Sequence, residues 1–537
     1  MGLLESLDAG LGDLAGQWNI YSTGIVTVLI ALVGYRVLTA TEPDVHPMLL
    51  ARQSLASPVR QEGESPVYRS QAAPHGMPLN SGLGVKDPGA SKWTRGRDGD
   101  LRDVWRKAVA GSESGAKGQL WTVLGSQRKI EHKLEDITRQ INLIGQHIAE
   151  QGGIRVAIYL PNSIELLVTL FACSFYPNLT TILIPFDVSK DELVSMLRRS
   201  AADTVVTAPG AFPFDTVVAA YPALRQLIWV VDEGSSHLDW NEVPEGTGGS
   251  VNVATWQDIV NDAPADAGRE LPPLDSDPSK VPKDVVVFWQ TKSGQIEEMV
   301  RFSQANLTDY LHSATSLANE HTLTLTLAAL YSNASIALNS VAGKSTDLVL
   351  ATQGIAPTVI VAAPETLLKS HKESASKLAG LGNLSHTLAT RQLALDGVFS
   401  TSNAFSGFSA ASRPTIGASS PSLRLIYVAE RAGASTPHLS SQALSDLRIF
   451  TGARVIYALT AAKVAGAVAQ TAFFDYRVDA DGTGHFGAPL TSVEVRLRDS
   501  GALRTTDEKS EGEIIVNGPA VLGVNGRIRG DQTLAYA

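Results

Sequence analysis

The stretch Val156-Ala157-Ile158-Tyr159-Leu160-Pro161-Asn162-Ser163-Ile164-Glu165 decides the architecture of this chain. An apolar run reads as a strand buried on both faces, Pro161 and Asn162 end it, and Ser163 stands where a helix N-cap belongs, ahead of an apolar run reaching Phe175. The pattern continues outward. Towards the C-terminus come a strand at Thr181-Ile182-Leu183-Ile184, a helix at Lys190–Ser200 and a strand at Thr204–Thr207. Towards the N-terminus, Ile137, Ile141, Ile144 and Ile148 recur at helical spacing within Ile130–Gln151, and Leu101–Val109 has a similar pattern. Strands alternating with helices of this length predict a parallel α/β sheet covered on its faces. The alternation resumes with strands at Val285–Phe288, Thr358–Val361 and Leu423–Val428 and a helix from Asn306, while the Ser-rich stretch 400–422 is expected to be a mobile surface loop. After Phe473 the period falls to two, in Val493–Leu497 and Glu513–Val516, which predicts a small antiparallel barrel or sheet.

The whole chain has 537 residues, a net charge of −10, and 44% hydrophobic against 18% charged residues, enough for about three globular units. One cysteine, Cys173, excludes an internal disulfide framework and any cysteine-based zinc site and fits a reducing compartment. It lies in an apolar helix and reads as a core residue. The acidic balance argues against nucleic acid as a partner, because phosphate contacts need concentrated Lys and Arg. No metal-ligand spacing is present among the histidines, and His132, His147, His371 and His438 read as surface or helix residues.

Between Asp13 and Arg36 no residue is charged, and the centre, Gly24 to Gly34, is almost wholly apolar with Trp18, Tyr21 and Tyr35 near the ends. A helix this long would reach across a hydrocarbon core of about 30 Å. The start is acidic (Glu5, Asp8, Asp13) and so unlike a cleavable signal, and Arg36, Arg52 and Arg60 follow. These features predict a single-pass anchor at residues 18–38 after a short acidic N-terminus at 1–17. The large domain would be cytosolic and the membrane that of the endoplasmic reticulum or another organelle. Glycans on the sequons at Asn178, Asn306, Asn333 or Asn383 would overturn that topology. Residues 39–103, polar and rich in Pro, Gly and Arg, are expected to be a tether.

From about residue 100 to 525 the order and spacing of motifs resemble the adenylate-forming (AMP-binding) ligase superfamily, which includes acyl-CoA synthetases. Val156–Glu165 is similar to its V-A-I-x-L-P-N-S-x-E segment, and Ala356–Pro364 to its P-T-x-x-x-x-x-P strand. Tyr457-Ala458-Leu459-Thr460-Ala461 looks like its Y-G-x-T-E motif. Phe486–Leu490 and Gly512-Glu513-Ile514-Ile515-Val516-Asn517-Gly518-Pro519 look like its later glycine motifs. The resemblance implies two parallel α/β subdomains plus a small β-barrel-like subdomain, together a large domain at 104–525. A tail would follow at 526–537, with the lid domain that the family carries beyond this point absent. It also implies ATP-dependent activation of a carboxylate, such as a fatty acid, with Mg²⁺ and with CoA as the thiol acceptor.

Carried over position by position, the resemblance assigns the phosphates to Thr291, Lys292, Ser293 and Gly294 and the adenine and α-phosphate to Tyr457 and Thr460. Small residues in such a loop let backbone N–H groups approach a triphosphate. Two positions depart from the pattern. The Pro-Lys-Gly end of the phosphate loop is replaced by Ile296-Glu297-Glu298, so a carboxylate at Glu297 stands where a cation is expected, and the Mg²⁺-holding Glu is replaced by Ala461. Lys292, Arg301 and Lys463 are the nearby cations that would compensate. Two functions therefore stand side by side: an acyl-CoA-synthetase-like ligase, and a pseudoenzyme kept as a binding or scaffold module. The missing lid is a third loss, and a gene product continuing into a lid would remove only that one of the three. Which acid is used is open.

Overall fold

The computed structural model describes residues 16, 19–38, 42–86, 89–94, 96–124, 128–186, 188–231, 251–273, 281–289, 298–308, 320–339, 347–399, 412–417, 423–433, 436–479, 481–518, 524–528 and 534–535. Its centre is the predicted strand–turn–helix unit. Strand Arg155–Tyr159 is almost wholly buried, and Ser163 accepts a hydrogen bond from Leu166 N at 3.2 Å to cap helix Ile164–Phe175. That helix is buried on nearly every side because its neighbours are themselves helices and sheet.

Around this unit runs a seven-stranded sheet in the order Glu298–Phe302, Val285–Trp289, Thr180–Leu183, Arg155–Tyr159, Thr204–Thr207, Gln226–Trp229 and Asn252–Thr255. All neighbours are parallel except the first pair. The chain leaves Arg155–Tyr159 first to one side and then to the other. The carboxyl ends of these strands thus border the crevice where open α/β sheets place ligands. Two cores sandwich the sheet, one with Trp105, Phe171 and Ile144 and the other with Leu193, Tyr159 and Phe212.

A second sheet follows, with Val359–Ala362, Leu425–Arg431 and Arg454–Thr460 parallel and Ala467–Gln470 and Ala488–Pro489 added antiparallel. Gly487, in the predicted glycine motif, has φ +71°, and a Cβ there would lie 1.9 Å from Gln470 O, so only glycine closes that corner. A third, six-stranded antiparallel sheet contains the predicted period-2 strands as Glu494–Arg498 and Glu511–Asn517. The mixed α/β plan with a small antiparallel sheet agrees with expectation. Within the stretch 526–537, expected as a tail, the described residues lie in strands Val524–Ile528 and Leu534–Ala535 at the edge of this sheet.

The stretch expected to be a tether is docked for much of its length. Strands Ser54–Ala56 and Tyr68–Ser70 pair with each other, and the second pairs with Glu494–Arg498, fastened by Arg69 to Glu494 at 2.6 Å. Further on, Asp100 caps helix Leu101–Ala110, and Arg97 bridges to Asp103. The Ser-rich stretch 400–422 lies mostly outside the described residues.

The anchor reading is corrected. Residues within 18–38 do form a helix, Ile20–Leu38, but no helix among the described residues is long and apolar enough to cross a membrane. This overturns the single-pass transmembrane assignment and, with it, the placement in an organelle membrane with the large domain cytosolic. The helix has 19 residues, and Ser22, Thr23, Gly24, Thr27, Gly34 and Arg36 interrupt its apolar run. Thr23 and Thr27 direct their hydroxyls to backbone carbonyls one turn back, at 3.2 and 2.8 Å.

Candidate nucleotide site

Two parallel neighbours of the second sheet deliver the site. In the register of Leu425–Arg431 on Arg454–Thr460, Val428 faces Tyr457, Glu430 faces Leu459 and Arg431 faces Thr460 at the carboxyl ends. Tyr457 and Thr460 are both fully buried. The Tyr457 hydroxyl donates to the Glu430 carboxylate, accepts from Leu439 N at 3.2 Å, and lies 3.2 Å from His438 Nδ1. His438 Nδ1 is itself 2.9 Å from Glu430 Oε2. The ring of Tyr457 packs against Phe486, centroids 4.8 Å apart, and Thr460 donates its hydroxyl to Glu430 O at 3.0 Å. Both side chains assigned to adenine and α-phosphate are therefore engaged inside the protein.

Glu430 is not singled out by the sequence, in which His438 reads as a surface or helix residue. The available signal was a carboxylate at the carboxyl end of a parallel strand, where an unpaired charge would be costly to bury. His371 was treated in the same way. It sits 3.0 Å from Asp446 Oδ2, while His386 approaches Oδ1 at 2.9 Å from the neighbouring helix. Burial would raise the Asp446 carboxyl, but hydrogen bonds from His371, His386 and Gln442 outweigh it and hold the group far below the usual carboxylate range. This cluster joins helices Pro364–Ser376, Leu381–Asp396 and Ser441–Thr451. Cys173 is a core residue, as expected, and burial pushes its thiol up to about 12.

Thr291, Lys292, Ser293, Gly294 and Glu297 lie outside the described residues, which stop at Trp289 and resume at Glu298. Trp289 ends one strand and Glu298 begins the next, and the two are paired in an antiparallel register. The guanidinium of Arg431 stacks over the Trp289 ring, 4.2 Å from its centroid, and Lys463 forms an ion pair with Glu298. The first contact crosses from the second sheet to the first, and the second reaches the first sheet from the turn after Arg454–Thr460.

The described residues do not fit a magnesium-bound triphosphate. Ala461 offers no side-chain oxygen to a metal, the carboxylate of Glu298 is held by Lys463, and the hydroxyls of Tyr457 and Thr460 bond to Glu430.

The anthranilate CoA ligase AuaEII, solved in complex with anthranoyl-AMP, superposes with a TM-score of 0.57 at 13% identity, over 81% of this chain and 77% of that one. A long-chain-fatty-acid-CoA ligase (FadD1) from Archaeoglobus fulgidus gives 0.55 at 12% identity, over 86% of both chains. The fold is that of the adenylate-forming ligases. A benzoate CoA ligase from Burkholderia xenovorans LB400 agrees, at 0.53 and 13% identity over 82% of this chain and 80% of that one. Among curated sequences, the uncharacterized protein YHR045W of Saccharomyces cerevisiae is 23% identical over 324 residues, 56% of this chain. The chain spans about half of that relative, 54% of its length. No protein-family model matches.

Proposed function

We propose that this chain is a catalytically silent relative of the acyl- and aryl-CoA ligases, kept as a binding or scaffold module, in which internal pairs occupy the nucleotide cleft. The observation that carries this reading is the Lys463–Glu298 ion pair across the cleft, beside Ala461 where a metal-holding carboxylate would stand. In a working site, preorganised cations and a metal face the charge that develops on the phosphates. Here the ammonium is already neutralised by a carboxylate of the same protein. A triphosphate brought to this place would compete with Glu298 for Lys463 and would meet that carboxylate as a like charge. Two like charges at about 4 Å oppose each other by about 4 kcal/mol at an effective dielectric near 20.

Carboxylate-dependent exchange of pyrophosphate into ATP tests the reading on the full chain, across fatty, benzoic and anthranilic acids. The expected result is exchange equal to that of a protein-free control for every acid. Exchange above that control with any acid would establish the ligase reading in its place.

A further inference from the structure

Helix Leu381–Asp396 carries leucines on both of its faces. Its inward face holds Ser385, His386, Thr390 and the buried Leu393, with the His386 ring stacked on Phe450 at 4.4 Å and its Nε2 on Asp446. Its outward face carries Leu381, Leu384, Leu388 and Leu395, which are 64%, 58%, 50% and 70% exposed. These leucines follow spacings of three, four and seven, with Arg391 at the intervening position, so they form one stripe along the helix. An apolar stripe of this length on a folded protein marks an interaction surface.

We infer that helix Ile20–Leu38 of the same chain is the occupant of this leucine stripe. That helix is itself uncovered, with Tyr21, Ile25 and Val28 all more than half exposed at spacings of four and three, the repeat needed to interleave with the leucines. It carries no charge between Leu14 and Tyr35, so docking buries none from that interval. The connection is already made. Asp44 N donates to Gly397 O at 2.9 Å, at the left-handed cap that ends the leucine helix, and the Asp44 carboxylate accepts from Tyr476 at 2.6 Å and Arg454 at 3.2 Å. Residue 44 is therefore fixed beside the end of the stripe. Five residue steps from Leu38 to Pro43 span at most about 17 Å, more than the roughly 8–10 Å between axes of packed helices. The two helices, 19 and 16 residues long, match in length at about 28 and 24 Å. They would run parallel, with their carboxyl ends together at Gly397.

The experiment is a cross-link between Val28→Cys and Leu388→Cys in the full chain, each about 15 Å back from the shared end. The one native cysteine, Cys173, is buried with its thiol pushed up to about 12, so it stays silent. With a short bis-maleimide at high dilution, the expected result is an intramolecular product at least about tenfold above that of a Val28→Cys/Glu150→Cys control, as a tethered pair should give. Adding Leu384→Asp should abolish the excess. Intramolecular yield no higher than the control would overturn the inference, and so would a product formed only between two chains, which would assign the stripe to a second copy.

Discussion

Tyr457 is the residue on which the reading of the cleft turns. Its hydroxyl ties together Glu430, the Leu439 amide and His438 near the carboxyl ends of two parallel strands. Tyr457→Phe leaves a buried carboxylate short of one donor. The expected loss is about 1–3 kcal/mol of unfolding free energy in urea denaturation. No change would mean that the hydroxyl serves something other than the fold. Lys463 belongs to a different regime. Its partner Glu298 is 45% exposed on its side chain and Lys463 32%, so Lys463→Ala should cost no more than about 1 kcal/mol, and the difference should fade at 1 M salt. A larger, salt-insensitive cost would place the pair in a drier site than the structure gives it. The sequence made Tyr457, Thr460 and Ala461 visible because they are consecutive in one motif. It could not show Glu430 or His438 meeting Tyr457, because that meeting depends on the pairing of two strands.

At the scale of elements, the same division between local and distant pairing decides what could be read. The strand, cap and helix from Val156 to Phe175 were legible because each signal lies within a few residues of the next. The docking of residues 42–103 was not. Its strands have three residues each, and Arg69 finds Glu494 425 positions away, so no periodicity announces them. The run at 18–38 was misjudged in the other direction, since an uncharged window alone says how apolar a segment is and nothing about what covers it. Asp475 is the most testable tie in this docking. It accepts from Gln53 of the docked segment at 2.8 Å and from Arg477, with His485 at 3.5 Å. Burial would raise its carboxyl, but hydrogen bonding to Arg477 and the charges of His485 and Arg477 prevail and lower it to about 2. Because the folded value lies below the unfolded one of about 3.9, the stabilisation is complete above pH 4 and is lost as pH falls from about 4 towards 2. It amounts to about 2–3 kcal/mol. Unfolding measured as a function of pH should show this loss in the native chain. In Asp475→Asn the segment of the curve between pH 4 and 2 should flatten, and an unchanged slope would remove Asp475 from the docking.

For the whole molecule, the fold and the site point in different directions. Two α/β sheets and an antiparallel sheet reproduce the plan of acyl- and aryl-CoA ligases over more than four fifths of the chain. Arg431 on Trp289 and Lys463 on Glu298 join the first two sheets. A fold of this kind carries its chemistry in a few side chains at the strand ends, so the packed scaffold alone does not decide the chemistry. Binding of Mg-ATP to the full chain, measured by titration calorimetry, tests this most directly. The account predicts no saturable heat up to about 1 mM nucleotide, whereas a dissociation constant in the micromolar range, about −8 kcal/mol of binding free energy, would contradict it.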